Sequence, residues 1–338
     1  MLAKKVQGAG GVGGAYPTGP FTHVFTGNQG GYIAATDVSN PASLSQTSFL
    51  SGFSQLRGLR VDRSTNRLFA CDLAANLRAI DVSNPNSISQ ISSKTGYTSS
   101  RFLDLDTSAK VAFIDNNSLK RLYAVDVSNP ASMVDLSFAS YVDTHHMGTY
   151  DQTNKILFRT TFSSGKIQIF DASNPSSMAL LINWAVSGYP TGIAVDEANQ
   201  VGFFANWSLG RLDSFDYSTP GSPSLLGSVS LAYYPQGVAI DTVNQVCYLA
   251  NETYDRIHAV DISNPSSMSD LGFLYDATNL DSVYQLALDV DSAVLYCANK
   301  TVTGRGITSI DVSNPASMTV LDNLATTEND RAWSIGGL

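Results

Sequence analysis

Short apolar and β-branched runs, separated by polar turns, recur along the chain with no helical period. Four such runs follow one another at Thr191 to Asp196, Gln200 to Asn206, Gly210 to Asp216 and Ser224 to Leu231. Runs of this length and composition are typical of consecutive antiparallel strands. An amphipathic helix would instead place apolar residues three or four positions apart. The pattern therefore predicts a four-stranded unit, whose strands we name A to D in chain order.

A turn phrase, most often Asp-Val-Ser-Asn-Pro, follows strand C and recurs seven times. Successive copies are 44, 45, 45, 45, 45 and 50 residues apart, and they begin at Asp37, Asp81, Asp126, Asp171, Asp216, Asp261 and Asp311. Four strands per repeat of this length are the signature of a β-propeller. Each blade has two apolar faces that only its neighbours can cover. We therefore expect an all-β, seven-bladed β-propeller of four-stranded antiparallel blades.

The two chain ends together predict how the ring closes. The first turn phrase is preceded by a strand B at 21–27 and a strand C at 31–37, but by no strand A. After the seventh phrase the chain runs through a strand D and ends in a segment, 330–336, that aligns with the strand A at 56–62. We expect this C-terminal strand to complete the first blade. The propeller then spans residues 21–338, and residues 1–20 form a Gly-rich N-terminal leader, flexible or docking.

The turn phrase invites a metal or catalytic interpretation, but its residues suit a turn. Asp and Ser side chains hydrogen-bond nearby backbone N–H groups, and Pro cannot continue a strand. A second Asp ends strand A in six of the units, at Asp62, Asp106, Asp151, Asp196, Asp241 and Asp289. We interpret both sets of aspartates as structural.

Charge and composition narrow the range of partners. A net charge of −9 and a pI near 4.8 argue against nucleic acid as the main ligand. No stretch approaches the ~20 apolar residues of a membrane span, and the N-terminus lacks the apolar core of a secretory signal. If Met1 is the native start, we expect no export by that route. The three cysteines cannot all pair within the chain, so we expect buried thiols.

Two segments carry a resemblance to a known family. Arg121-Leu-Tyr-Ala-Val-Asp-Val-Ser-Asn-Pro-Ala-Ser-Met133 and Arg256-Ile-His-Ala-Val-Asp-Ile-Ser-Asn-Pro265 resemble the LVIVD-repeat family of β-propellers. The resemblance covers nearly all of 21–338. It implies the propeller fold and a binding role without a mechanism, because members are largely bacterial surface or secreted proteins with no agreed catalytic site. The opening AKKVQGAGGVGG is also similar to the Gly-rich starts of phage structural proteins.

These likenesses lead to one preferred function and two alternatives. The preferred hypothesis is a non-enzymatic phage virion component, assembled in the host cytoplasm, that decorates the particle or contacts the host. The leader would dock to a neighbouring virion subunit, and the host partner would be a surface protein or glycan. One alternative is a bacterial surface adhesion or scaffold propeller whose export signal is absent from this sequence. The other is a hydrolase with its site in the central channel.

Motifs favour binding over catalysis. The sequence has no G-x-S-x-G elbow, no H-E-x-x-H pair and no cysteine cluster with metal spacing. We therefore predict no catalytic residues, no metal and no cofactor. His145 and His146 are neighbours on a strand and would face opposite sides, which favours a structural or polar-rim role.

One row of residues predicts a binding site. The position five before the strand A aspartate, or before Gly336 in the C-terminal copy, holds in ring order Arg331, Arg57, Arg101, His146, Thr191, Gln236 and Tyr284. Because strand A is the innermost strand of a blade, these side chains should gather at one mouth of the channel. The four consecutive groups Arg331, Arg57, Arg101 and His146 are our candidate anion site, since arginine pairs with carboxylate, sulfate or phosphate. The alternative is a polar rim in which each arginine is matched by a carboxylate such as Asp104 or Asp330.

Overall fold

The fold is seen in a computed structural model. It describes residues 12–13, 19–143, 146–231, 234–299, 306–325 and 332–338, with the backbone alone at 12–13 and 332–334. In the part of the chain so described, one short 3₁₀ turn at Pro315–Ser317 is the single helical element.

Twenty-nine strands make up these described segments. In chain order they are β1 (Val12–Gly13), β2 (His23–Asn28), β3 (Tyr32–Asp37), β4 (Ser45–Ser51), β5 (Leu56–Asp62), β6 (Arg67–Asp72), β7 (Asn76–Asp81), β8 (Ser89–Thr95), β9 (Leu103–Asp106), β10 (Val111–Asn116), β11 (Arg121–Asp126), β12 (Val134–Ser140), β13 (Gly148–Asp151), β14 (Ile156–Thr161), β15 (Lys166–Asp171), β16 (Ala179–Ala185), β17 (Pro190–Asp196), β18 (Val201–Asn206), β19 (Arg211–Asp216), β20 (Ser224–Ser230), β21 (Pro235–Asp241), β22 (Val246–Asn251), β23 (Arg256–Asp261), β24 (Ser269–Tyr275), β25 (Val283–Asp289), β26 (Val294–Asn299), β27 (Ile307–Asp311), β28 (Thr319–Leu324) and β29 (Ala332–Gly337).

These strands form seven antiparallel blades in a ring, which confirms the predicted fold. Blade one has the order β29-β2-β3-β4, and blades two to seven take the following strands in consecutive sets of four, from β5 to β28. The strand A members of neighbouring blades contact one another, as β17 does β21 and β21 does β25. Strand A is therefore innermost and lines the central channel.

The C-terminal strand completes blade one, as the sequence predicts. Strand β29 pairs antiparallel with β2, with Val24 opposite Gly337 and Thr26 opposite Ile335. The last residue extends the ladder, because the Leu338 backbone N–H donates to the His23 carbonyl at 2.8 Å. The two ends of the chain are thus joined by hydrogen bonds within one sheet.

Apolar side chains of neighbouring blades share their cores. Between blades three and four, the rings of Phe113 and Tyr150 lie 4.7 Å apart at their centroids, and Leu157 and Phe170 are buried in the same cluster. The innermost strands approach so closely that a Cβ at Gly192 would clash with the backbone carbonyl of Gln236 in the next blade. Burial of this kind stabilises by roughly 25 cal/mol per Å² of apolar surface. Each blade therefore depends on its neighbours.

The turn phrase has the structural role that its chemistry suggests. In blade one, Asp37 Oδ1 accepts from the Ser39 backbone N–H at 2.9 Å, and the equivalent bond recurs in all seven copies. The proline carbonyl also ties blades together. Ser48 Oγ donates to the Pro85 carbonyl of the next blade at 2.6 Å. A similar bond, which Ser309 Oγ on strand C rather than strand D donates to the Pro41 carbonyl, crosses the closure between blades seven and one at 2.6 Å.

Part of the N-terminal leader lies beside the channel wall. Strand β1 pairs in parallel with β13, with Val12 opposite Tyr150 and Gly13 opposite Asp151. Further along, the Gly19 backbone N–H donates to Asp291 Oδ2 at 2.6 Å. The leader as described here is thus attached to its own ring, and docking to another subunit stays a prediction. No helix in the described residues is long and apolar enough to cross a membrane.

The three cysteines are buried and form no disulfide, as expected from the sequence. They are Cys71, Cys247 and Cys297, and burial raises the pKa of the Cys71 thiol to about 12. These thiols pack as small apolar groups.

One buried carboxyl group between blades four and five is set to titrate near neutral pH. Glu197 is 2% exposed and accepts from the backbone N–H groups of Gln152 at 2.8 Å and Thr153 at 3.1 Å. Burial and, secondarily, the neighbouring Asp151 carboxylate raise the pKa of Glu197 to about 7. The hydrogen bonds act in the opposite direction without cancelling these effects.

Removing the closing strand should open the ring. Deletion of residues 331–338 leaves the inner edge of β2 unpaired and exposes the core of blade one, so we expect the melting temperature to fall by roughly 10 °C or more, with aggregation. Thermal unfolding and light scattering measure this. Deletion of residues 1–8, of equal length at the other end, is the control. A melting temperature that is unchanged after the C-terminal deletion would contradict the closure.

Stability should fall as the pH rises through 7 because of Glu197. A folded pKa raised above the ordinary value of 4.5 gives stability that is fully present below pH 4.5 and lost as the pH rises through 7, by about 3 kcal/mol for this shift. Burial lowers the pKa values of His23 and His258, which act in the opposite direction. The informative quantity is therefore the difference in unfolding free energy between wild type and Glu197→Gln. We expect that difference to favour wild type more at pH 5 than at pH 8.5; a constant difference would refute this.

Candidate functional site

Most of the predicted row meets at one mouth of the channel. Five of its seven members line a pocket of about 300 Å³ at the end of the channel where the strands A begin, which we call the upper mouth. They are Arg57, Arg101, His146, Gln236 and Tyr284. Arg101 is exposed, and Arg57 and His146 are half-buried. Three of the four candidate anion-binding residues are thus brought together.

Two members of the row are not part of this pocket as described. Thr191 is buried, and its hydroxyl donates to the Pro235 carbonyl of the next blade at 2.8 Å. Its role is therefore to tie two blades together, and the expectation that it reaches the mouth is wrong. Arg331 lies outside the described residues, as does His145.

A pair of side chains spans the upper mouth. His146 Nε2 lies 3.3 Å from the Tyr284 hydroxyl, although the two residues belong to blades four and seven. A narrow cavity continues beneath them, lined by Leu103, Ile193 and Leu286 among others. That cavity also borders Arg60 and Gln285, so the channel beneath the upper mouth has a mixed polar and apolar lining.

The backbone that carries Arg101 is held by a buried aspartate. Asp115 Oδ1 accepts three hydrogen bonds, each of 2.9 Å, from the Ser100 hydroxyl and from the backbone N–H groups of Arg101 and Phe102. Asp115 is on strand B of the same blade, so the loop before strand A is anchored to the sheet. This anchor fixes where the Arg101 side chain enters the pocket.

A buried arginine balances that aspartate. Arg159 Nη2 lies 3.6 Å from Asp115 Oδ2, and both side chains are wholly buried. The Arg159 guanidinium also lies 4.0 Å from the ring centroid of Tyr141. A buried charge is tolerated only when it is paired. The sequence analysis missed this pair. The signal for it was Arg159 itself, a charged residue at the strand B position where the next blade has Phe204.

The pocket also contains a carboxylate that the sequence did not point to. Gln236 Nε2 donates to Glu252 Oε2 at 3.0 Å, and Glu252 lines the same pocket as the two arginines. Burial raises the pKa of Tyr284, with Glu252 acting in the same direction and Arg57 and Arg101 in the opposite one. Among the described residues, two guanidinium groups and one carboxylate thus set the electrostatic field at the upper mouth.

The aspartate that was considered as a counter-ion for the mouth has another partner. Asp104 Oδ1 accepts from Arg60 Nε at 3.0 Å, and Asp104 Oδ2 accepts from the Tyr150 backbone N–H at 3.1 Å. Burial raises the pKa of Asp104, while Arg60 opposes that change. Asp104 thus joins three blades inside the ring. Asp330, the other carboxylate considered, is not among the described residues.

Five aromatic side chains form a contiguous row that begins next to His146. The members of this aromatic arc are Phe162, Tyr189, Trp207, Tyr234 and Tyr254. Ring centroids are 5.5 Å apart for His146 and Phe162, 5.3 Å for Phe162 and Trp207, 4.4 Å for Trp207 and Tyr234, and 6.4 Å for Tyr234 and Tyr254. The sequence held a signal for it. Phe162 and Trp207 occupy the same position in repeats 45 residues apart, and so do Tyr189 and Tyr234, each followed by proline.

The chemistry available at the upper mouth is anion binding. Two guanidinium groups can donate paired hydrogen bonds to an oxyanion, and a histidine can donate a third. In the part of the chain that the structure describes, no group of three or more His, Cys, Asp or Glu side chains could hold a metal ion.

Comparisons with known proteins agree with this fold. The LVIVD repeat model matches residues 111–140, 162–186, 256–275 and 301–326, so the chain is a β-propeller that contains LVIVD repeats. No curated protein matches the chain.

Many solved structures share the architecture at low sequence identity. A protein from Lactobacillus plantarum has a TM-score of 0.80 at 13% identity, covering 94% of this chain and 99% of its own. A Bacteroides fragilis protein provisionally designated a 6-phosphogluconolactonase has a TM-score of 0.77 at 10% identity, with the same two coverages. The periplasmic gluconolactonase PpgL of Pseudomonas aeruginosa has a TM-score of 0.74 at 10% identity, covering 91% of this chain and 97% of its own. At such identities the likeness establishes the fold alone.

Proposed function

We propose that this protein is a non-enzymatic binding module whose upper mouth takes the carboxylate or sulfate of an acidic sugar residue. One observation carries the proposal: Arg57, Arg101 and His146, from three consecutive blades, line a single pocket in a chain with a net charge of −9. A polar rim needs no such clustering of cations. The clustering creates a local positive field in an otherwise acidic protein.

The geometry suits a small oxyanion attached to a ring. Arginine forks bind planar carboxylates through two parallel hydrogen bonds. A pocket of about 300 Å³ is at the lower end of the range for small-ligand sites and has room for one pyranose ring. Glu252, at the side of the same pocket, can accept hydrogen bonds from sugar hydroxyls. Carbohydrate acids combine both kinds of group in one molecule.

The place of action that fits the sequence best is the surface of a virus particle. A binding propeller with a Gly-rich leader suits a phage virion protein, assembled in the host cytoplasm, that decorates the particle or contacts the host. The partner would then be an acidic glycan of the host surface. A bacterial surface adhesion propeller would use the same pocket for the same chemistry. Both assignments stay predictions.

Hydrolysis at the same pocket is the main competing function. His146 and Glu252 are potential proton acceptors beside the arginines, and two proteins of the same fold are designated gluconolactonases. An assay for lactone hydrolysis therefore tests whether the protein is non-enzymatic. Ring opening of gluconolactone or 6-phosphogluconolactone by the purified protein, abolished by His146→Ala, would contradict it.

Loss of the two arginines should abolish anion binding. In isothermal titration with glucuronate and with sulfate, we expect Arg57→Ala/Arg101→Ala to weaken binding by at least ~30-fold, because each charge-assisted hydrogen bond contributes about 1.5–3 kcal/mol. Binding by wild type should also weaken as the salt concentration rises.

A second double variant separates this site from net charge. Arg67→Ala/Lys94→Ala removes two cations that lie outside the upper mouth, where Arg67 pairs with Asp81 and Lys94 with Asp135. It should keep wild-type affinity. Equal binding by wild type and by the Arg57/Arg101 variant, with both folded, would overturn the proposal.

A further inference from the structure

We infer that the aromatic arc is a stacking platform for consecutive pyranose rings, so that the ligand is an acidic oligosaccharide rather than a single sugar acid. This inference rests on the proposed function, since it extends the site at the upper mouth along blades four to six. The arc begins where that site ends. The ring centroid of Phe162 lies 5.5 Å from that of His146, and both residues line a second pocket of about 390 Å³ together with Arg101.

The arc is not demanded by the propeller fold. Phe162 and Trp207 stand at the first position after strand B in blades four and five. The equivalent positions of blades one to three hold Gln29, Leu73 and Asn117. These blades close around their cores without an aromatic residue there. The aromatic side chains are therefore an addition to one half of the ring.

That addition leaves aromatic surface open to solvent. Tyr189 is 41% exposed and Tyr254 is 39% exposed, while Phe162, Trp207 and Tyr234 are half-buried. Contiguous exposed apolar surface in a folded protein marks a binding site more often than chance. The two arginines lie on blades two and three, His146 begins blade four, and the aromatic side chains lie on blades four to six, so the two kinds of side chain occupy adjoining parts of the mouth.

A sugar chain fits both halves of this surface. Pyranose rings present flat C–H faces that pack on aromatic rings, while their hydroxyl groups remain at the edges for water or polar side chains. The carboxylate of an acidic residue is complementary to Arg57 and Arg101 at one end of the arc. A nucleic acid also has ring faces, but its phosphates would meet a protein of net charge −9 with Glu252 beside the arginines.

A matched series of β-1,4-linked glucose derivatives tests this arrangement. The probes are glucuronate, cellotetraose and cellouronate tetrasaccharide, which share ring geometry and differ in length or charge. We expect wild type to bind the cellouronate tetrasaccharide more tightly than either of the other two. Trp207→Ala should weaken that binding about tenfold and leave glucuronate binding unchanged, because Trp207 is in the middle of the arc. Affinities are measured by isothermal titration.

The control is Phe49→Ala, which removes an aromatic side chain that is 55% exposed on the outermost strand of blade one. It should bind all three probes as wild type does. If Trp207→Ala also keeps full affinity for the cellouronate tetrasaccharide while glucuronate still binds at the arginines, the arc is not a sugar platform and the proposed function stands. If wild type binds neither acidic probe, both the inference and the proposed function are overturned.

Discussion

Burial between blades is the constraint on which the whole structure depends. Each blade exposes two apolar faces, and each face is covered only by the next blade in the ring. Seven blades can satisfy this condition only if the last covers the first. Strand β29 completes blade one by pairing with β2, and blade seven packs on the completed sheet through Tyr296 and Ile335. The Ser309 to Pro41 hydrogen bond ties the same two blades, as the Ser214 to Pro265 bond ties blades five and six. The seven core clusters between blades follow from the same condition.

Closure also determines where function can lie. In the complete ring the strands A begin at one mouth, where residues such as Arg57 and Arg101 line a pocket, while Thr191 at the same register position ties two blades together. The mouth has become asymmetric while the scaffold has stayed regular. Buried groups support this asymmetry from below: Asp115, balanced by Arg159, holds the backbone of Arg101, and the Thr160 carbonyl accepts from the His146 backbone N–H at 2.7 Å.

The structural features that repeat along the sequence could be predicted from it. The contacts between side chains of distant blades, which only the closed ring brings together, could not. The 45-residue period predicted the blades, their strand order and the closing strand, because local strand and turn signals recur in register. The same register predicted that Arg57, Arg101 and His146 share a mouth. It could not predict the contact of His146 with Tyr284, which depends on the width of the channel between blades four and seven. For Thr191 the register predicted a place at the mouth that the side chain does not take. Its small hydroxyl is buried and donates to the Pro235 carbonyl of the next blade.

The aromatic arc could have been predicted in part. Phe162 and Trp207 share one repeat position and Tyr189 and Tyr234 share another, so an alignment of the repeats contained the signal for four of its five members, but charged groups alone were used to predict the site. Glu252 is in the same register as Trp207 and was missed for the same reason. Comparing equivalent positions across blades, rather than searching for motifs, is the way to find sites in a repeat protein of this kind.

Whether the two arginines of the upper mouth hold an oxyanion can be seen in a crystal structure of the protein soaked with glucuronate. We expect electron density for the carboxylate within about 3 Å of guanidinium nitrogens of both Arg57 and Arg101, with the sugar ring turned toward Phe162. An upper mouth without glucuronate, in crystals where the ligand is well ordered at another position on the ring, would contradict it.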